Sequence, residues 1–218
     1  MAKVFVIGAA GKVGRHLVPR LGERGHAVLG LHRKPEQADV LAGLGATAVA
    51  GSLTDLSAEA LGERMRGCDA VVFTAGAGGA GLALTQAIDG DGLELAVAAA
   101  GHAGVPRFLL VSAFPEALRD RDRSEGFEAY IRIKKRADVH LVASDRDWVI
   151  LRPGTLVDAP GTGRVRADLA IPYDTIPRED VAAALAELVD RPAIGRTIIE
   201  LTRGDVPIGE ALERLTRR

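Results

Sequence analysis

The stretch that decides the fold is Val4–Glu36, "VFVIGAAGKVGRHLVPRLGERGHAVLGLHRKPE". It opens on a short apolar run, passes three glycines and continues as an amphipathic segment. Lys3–Ile7, apolar after its first residue, predicts a strand buried on both faces. Val13, Leu17, Val18 and Leu21 recur at helical spacing, so a helix is expected over Lys12–Arg24, with Pro19 straining it. A second strand is expected at Ala27–Leu31. Between strand and helix, Gly8 permits a tight turn, Gly11 lets backbone approach a ligand, and Gly14 lets the helix lie close to the strand. The open N–H groups and partial positive charge of the helix N-terminus then make a seat for phosphate. Strand, glycine turn, helix and strand in this order predict a dinucleotide site held by Gly8, Ala10, Gly11, Lys12, Val13 and Gly14. A P-loop is excluded by spacing. Only Ala9 and Ala10 separate Gly8 from Gly11, and Val13 follows Lys12 where Ser or Thr is required.

Outward from this unit, strands and helices alternate. Strands are expected at Ala46–Ala50, Ala70–Thr74, Phe108–Val111, Val149–Leu151 and Thr197–Leu201. Helices are expected at Glu36–Leu44, Leu56–Met65, Leu84–Ala103 (one long Ala-rich helix), Phe127–Ala143, Arg178–Val189 and Ile208–Leu215. Near-continuous apolar strands between helices indicate an α/β fold: a doubly wound parallel sheet of Rossmann type, with helices on both faces. At 218 residues the chain reads as a single domain, 1–218, whose part from about 152 to 218 forms a small substrate-side lobe. The polar connection Pro115–Gly126 follows the fifth strand, on the edge where ligands sit in such folds.

Composition narrows the function. A formal net charge of -1 gives no general reason to bind nucleic acid or an anionic membrane. The single cysteine, Cys68, cannot form an internal disulfide, which fits a reducing, cytoplasmic setting. The first residues do not have the long apolar centre of an export signal, and no stretch approaches the roughly 18 apolar residues of a membrane span. The five histidines show no metal-ligand spacing with acids or cysteines, so no metal is expected.

The motifs "VIGAAGKVG", "GHAVLGLHR", "GSLTD" and "AVVFTAG" together resemble the short-chain dehydrogenase/reductase superfamily. The match is best to its atypical branch of small NAD(P)-binding proteins, which includes NmrA-like and flavin- or biliverdin-reductase-like members. The resemblance implies that Ser52 and Leu53 face the adenine, that Ala75 and Gly76 pass close to the ribose, and that Pro153, Gly154 and Thr155 pack beside the nicotinamide. Ser52 stands where the family usually has Asp. The second strand ends in Leu31-His32-Arg33-Lys34, with no acid before Glu36 to hold a ribose 2′-OH. Arg33 can instead meet a 2′-phosphate with paired N–H groups, with Lys34 and Lys12 adding charge, so NADP(H) is expected over NAD(H).

Tyr130 and Lys134 are four residues apart on an expected helix, which puts both on one face. Ser112 closes the fifth strand. The resemblance maps Ser112, Tyr130 and Lys134 onto the superfamily's Ser–Tyr–Lys set. Hydride delivery to a carbonyl leaves an alkoxide that a tyrosine OH can protonate. A nearby ammonium is expected to lower the phenol's pKa toward working pH. Lys134 is also expected to hold the nicotinamide ribose, and Ser112 the substrate oxygen. Phe114, Phe127, Tyr130, Leu156 and Tyr173 are candidate walls of a substrate pocket. The expectation is an NADPH-dependent oxidoreductase, compatible with a homodimer, passing hydride to a carbonyl, quinone or flavin-like small molecule. Two alternatives stand beside it: a non-catalytic NADP(H) sensor of NmrA-like type, and an isomerase or dehydratase that uses the cofactor without net turnover.

Overall fold

The computed structural model describes residues 1–118 and 124–216. The first half builds the expected alternation: β1 (Lys3–Ile7), α1 (Gly14–Glu23), β2 (Ala27–His32), α2 (Glu36–Gly43), β3 (Thr47–Ala50), α3 (Ala58–Met65) and β4 (Ala70–Phe73). Next come α4 (Leu82–Thr85), a π-helical turn (Gln86–Asp91), α5 (Gly92–Ala103), β5 (Arg107–Val111), α6 (Glu125–Val142) and β6 (Asp147–Pro153). The C-terminal part adds β7 (Thr155–Val157), β8 (Arg164–Asp168), β9 (Thr175–Pro177), α7 (Arg178–Val189), β10 (Thr197–Arg203), β11 (Val206–Pro207) and α8 (Ile208–Thr216).

The main sheet runs β11-β8-β10-β6-β5-β4-β1-β2-β3. From β3 to β10 every neighbouring pair is parallel, and the chain reverses its winding direction between β1 and β4. A crevice opens at that switch, outside the carboxyl ends of the strands. Two corrections to the sequence reading follow. The sheet is not parallel throughout, because β8 pairs antiparallel with β10 and with β11. The expected helix over Leu84–Ala103 is broken by the π turn, so Asp89 and Gly90 are rotated into the buried side.

Strand alternation assigns the two cores. Val4 and Val6 of β1 face α1 and α7, meeting Leu17, Leu21, Leu185 and Leu188. Phe5 and Ile7 point to the other face, among Leu61 and Met65 of α3, Leu93 of α5 and Leu141 of α6. Both faces of β1 are therefore dry, which accounts for its unbroken apolar sequence. Burying each of the large side chains here stabilises the fold by about 1.5–3 kcal/mol. Trp148 and Cys68 belong to the second core. Among the described residues, no helix is long and apolar enough to cross a membrane, and no cluster of His, Cys, Asp or Glu could hold a metal ion.

Candidate active site

Gly8 sets the floor of the crevice. Its φ of +88° is a conformation that side chains disfavour, and a Cβ there would stand 2.5 Å from the Ala75 backbone nitrogen. The close approach is locked from the β4 side: Thr74 donates its N–H to the Ile7 carbonyl (2.8 Å) and its Oγ1 bonds to the carbonyls of Ile7 (3.1 Å) and Gly8 (3.2 Å). A Cβ on Gly14 would fall 2.3 Å from the Gly8 oxygen, so α1 starts hard against the turn. Gly14 thus acts through packing and does not line the crevice. α1 has no side-chain cap; Arg15 and His16 already donate their N–H groups to the carbonyls of Gly11 and Val13, so the amides left for an anion are those of Lys12, Val13 and Gly14.

A cleft of about 880 Å³ extends from this turn along the strand ends. Gly8, Ala10, Gly11, Lys12 and Val13 line it. At one end lie Arg33, Ser52 and Leu53, and at the middle Ala75 and Gly76. Gln37 joins them, unforeseen from sequence. Its Oε1 accepts the backbone N–H of Arg33 (3.2 Å) and of Lys34 (3.1 Å), which fixes the turn into α2. Arg33 itself is exposed, and its guanidinium has no hydrogen-bond or ion-pair partner among the described residues. Lys34 is outside the lining and sits 3.9 Å from Glu36. The Ser52 hydroxyl already bonds Thr54 Oγ1 at 2.7 Å.

Lys12 and Arg178 both reach the cleft, and both grip Asp158, at 2.7 and 2.5 Å. The bond from Lys12, with the charge of Arg178, holds the Asp158 carboxyl below the usual carboxylate range. Beyond it, Glu179 and Asp180 accept the backbone N–H groups of Gly161, Thr162 and Gly163. These two acids of the first turn of α7 thus hold the loop that follows Asp158.

At the other end, Ser112, Tyr130 and Lys134 line the same cleft with Leu82, Ile88, Phe127 and Leu156. Ser112 follows β5 and donates its N–H to the Leu151 carbonyl of β6 at 2.8 Å. Its Oγ is buried without a complete hydrogen bond, beside the Asp138 carboxyl. Lys134 is 4% exposed and donates to the Val111 carbonyl at 3.0 Å and to Asp89 Oδ1 at 3.3 Å. Two of its three ammonium hydrogens are engaged, which leaves one for a ligand. Lys135 is exposed, as its spacing from Tyr130 predicts.

The charge on Tyr130 corrects the sequence expectation. Burial pushes the phenol pKa up, and Asp89, Tyr173 and Asp138 push it the same way. Asp89 partners the Lys134 ammonium that was expected to lower it. The side chain is thereby held in its protonated form, the form from which a proton can be given. Burial also raises the Asp138 carboxyl, against the pull of Ser112, Arg152 and Lys134.

The remaining candidates support the wall from behind. Phe114 is 2% exposed and stacks edge-on against Tyr173, with centroids 5.4 Å apart. Pro153 and Gly154 lie off the cleft, and a Cβ on Gly154 would strike the Asp174 carbonyl at 1.8 Å. Thr155 spends its hydroxyl on Tyr173, at 2.5 Å. This segment leads into β7, which pairs with β9, and of 153–157 only Leu156 lines the cleft. Phe114, Phe127, Tyr130 and Tyr173 nevertheless form one apolar cluster with Ala117, Ile131 and Ile171. Both tyrosines of the chain and two of its five phenylalanines collect there, apart from the two main cores.

Known proteins are similar to this chain in sequence and fold. YhfK of Bacillus subtilis, an uncharacterized sugar epimerase, is 39% identical over 215 residues, spanning 98% of this chain and 100% of its own. A Bacillus halodurans structure assigned as an NAD-dependent epimerase/dehydratase superposes with a TM-score of 0.90 at 32% identity, covering 98% and 100% of the two chains. ChuY, an anaerobillin reductase from Escherichia coli O157:H7, gives a TM-score of 0.77 at 27% identity over 94% and 98%. The family model described as NAD(P)H-binding matches residues 8–192, from the glycine turn through the end of α7. The glycine turn, the switch-point cleft and this match agree, and the chain belongs to the NAD(P)H-binding family of atypical short-chain dehydrogenase/reductase proteins.

Proposed function

We propose that the chain is an NADPH-dependent reductase of a flat, conjugated small molecule with a carbonyl, quinone or flavin-like acceptor group. The observation that carries this reading is the placement of Ser112, Tyr130 and Lys134 in one cleft with the glycine turn, beside a cluster of four aromatic side chains. Bound NADPH supplies two electrons and one proton as hydride.

The chain supplies the rest. The amides of Lys12, Val13 and Gly14 with the Lys12 ammonium hold the diphosphate, and Arg33 selects the 2′-phosphate. Lys134 offers its free hydrogen to the nicotinamide ribose. Ser112 orients the acceptor oxygen. Tyr130, kept neutral, hands its proton to that oxygen as the C–H bond forms, and solvent restores it. Phe127 and Leu156 exclude water from the acceptor face.

The name carried by YhfK favours a second reading, in which the cofactor is oxidised and reduced within one turnover on a sugar. NADPH consumption with a panel of quinones, flavins and aldehydes separates the two. The reductase oxidises NADPH with at least one acceptor, and Tyr130→Phe slows carbonyl reduction by roughly 10²–10⁴. Tight coenzyme binding with no acceptor oxidising NADPH would remove the reductase reading and leave the epimerase or a coenzyme sensor.

A further inference from the structure

Asp89 was not singled out in the sequence. It lies in the π turn, 3% exposed, on the wall of the cleft. Its two oxygens serve different parts of the site. Oδ2 accepts the Ala77 N–H at 2.9 Å, and Oδ1 accepts the Lys134 ammonium at 3.3 Å. Gly76 passes so close that a Cβ there would be 3.2 Å from Oδ1. Lys134 in turn reaches the Val111 carbonyl, one residue before Ser112. One carboxylate therefore ties the loop after β4, the end of β5 and helix α6 together.

A second buried pair lies one helical turn further along α6. Asp138 is gripped by Arg152 through Nε (3.0 Å) and Nη2 (2.8 Å). The four charges balance, two acids against two cations, so no group is left uncompensated in the interior. The groups facing Tyr130 among the described residues are Lys134 and Asp138 on its own helix, Asp89 on the π turn and Tyr173 ahead of β9, with Arg152 of β6 behind Asp138.

We propose that Asp89 is a positioning residue: it anchors the Lys134 ammonium and fastens it to the Gly76–Ala77 loop, so that lysine, tyrosine and coenzyme loop share one fixed arrangement. The proposal rests on reading the cleft as a redox site, but its test needs no coenzyme. It adds to what burial does to the phenol. With Asp89 in place the lysine's charge is spent locally, and Tyr130 keeps its proton for delivery.

The test titrates Tyr130 by ultraviolet difference absorbance in a Tyr173→Phe background, where it is the sole tyrosine. There, Tyr130 should not ionise before the chain unfolds in alkali. Asp89→Asn keeps an acceptor for Ala77 but removes the charge. It should bring the Tyr130 midpoint down from the parent's, into the range reached before the chain unfolds, with burial still holding it above a free phenol. Adding Lys134→Met should drive the midpoint back up, because the unpaired ammonium is gone. A pocket that was merely loosened would not recover on a second core substitution. An unchanged midpoint in Asp89→Asn, or no reversal on adding Lys134→Met, overturns the proposal. If Asp89→Asn alone is too unstable to titrate, thermal melts of Asp89→Asn, Lys134→Met and the double variant decide: the double variant, which leaves no lone charge, should melt above both single variants, and additive losses overturn the anchor.

Discussion

Replacing Gly8 with Ala tests the foundation of the site, and the structure sets the size of the effect. Two costs combine. A side chain at φ +88° costs about 1–2 kcal/mol. The new Cβ would also lie 2.5 Å from the nitrogen of Ala75 and 2.8 Å from its Cα, both backbone atoms pinned by Thr74. Overpacking of this kind costs about 1–3 kcal/mol. The sum, about 2–5 kcal/mol, corresponds to a fall in melting temperature of roughly 4–20 °C for a domain of this size. Gly45→Ala is the control, with φ +89° and nothing within 4 Å of its Cβ. It carries the backbone cost alone, about 1–2 kcal/mol. Thermal melts of both variants, with coenzyme titration by fluorescence, separate the terms. Gly8→Ala should melt well below Gly45→Ala and bind NADPH at least about tenfold more weakly, a loss of some 1.4 kcal/mol. Equal melting temperatures with intact binding would show that the approach of β1–α1 to Ala75 is not what shapes the cleft.

The other expectations concern charge. Arg33→Ala should weaken NADPH binding about 10–100-fold, the value of a charge-assisted bidentate contact, while NADH binding changes little; equal losses in paired titrations would remove the 2′-phosphate assignment. Asp158→Asn should release Lys12 and Arg178 and tighten NADPH binding several-fold at low ionic strength, with the gain fading in high salt; weaker binding at low salt would count against a role for these cations at the phosphates. The Tyr130 phenol is raised in the folded chain, so the unfolded chain gives up that proton first. Its linked stability is fully present below about pH 10 and is lost as pH rises further toward the folded value. Tyr130→Phe, followed by alkaline denaturation, should therefore hold its melting temperature to higher pH than the parent, and identical profiles would contradict the linkage.

The first half of the fold was legible because its constraints are local. Gly8, Gly11 and Gly14 are each required by a turn or a close backbone approach, and β1 must be apolar on both faces. The C-terminal part was harder to read. β7 and β9 have three residues each, too short to show a period, and β8 alternates in Arg164-Val165-Arg166, where only Val165 is buried. Pro153-Gly154-Thr155 looked like a ligand-facing turn, yet β7 pairing draws it toward Asp174 and Tyr173. At the site, Tyr130 and Lys134 could be paired by helical spacing. Asp89 could not, since its partner is 45 residues away and the π turn that buries it leaves no periodic mark. Burial of Tyr130, and then this carboxylate, set the direction of its shift, and neither shows in the helical spacing.

Calorimetric titration of the pure chain with NADPH and with NADH tests the central claim, that the glycine-floored cleft is a dinucleotide site built for the phosphorylated coenzyme. One NADPH should bind per chain, more tightly than NADH. No heat with either coenzyme, at concentrations where the folded state is intact, would contradict the account.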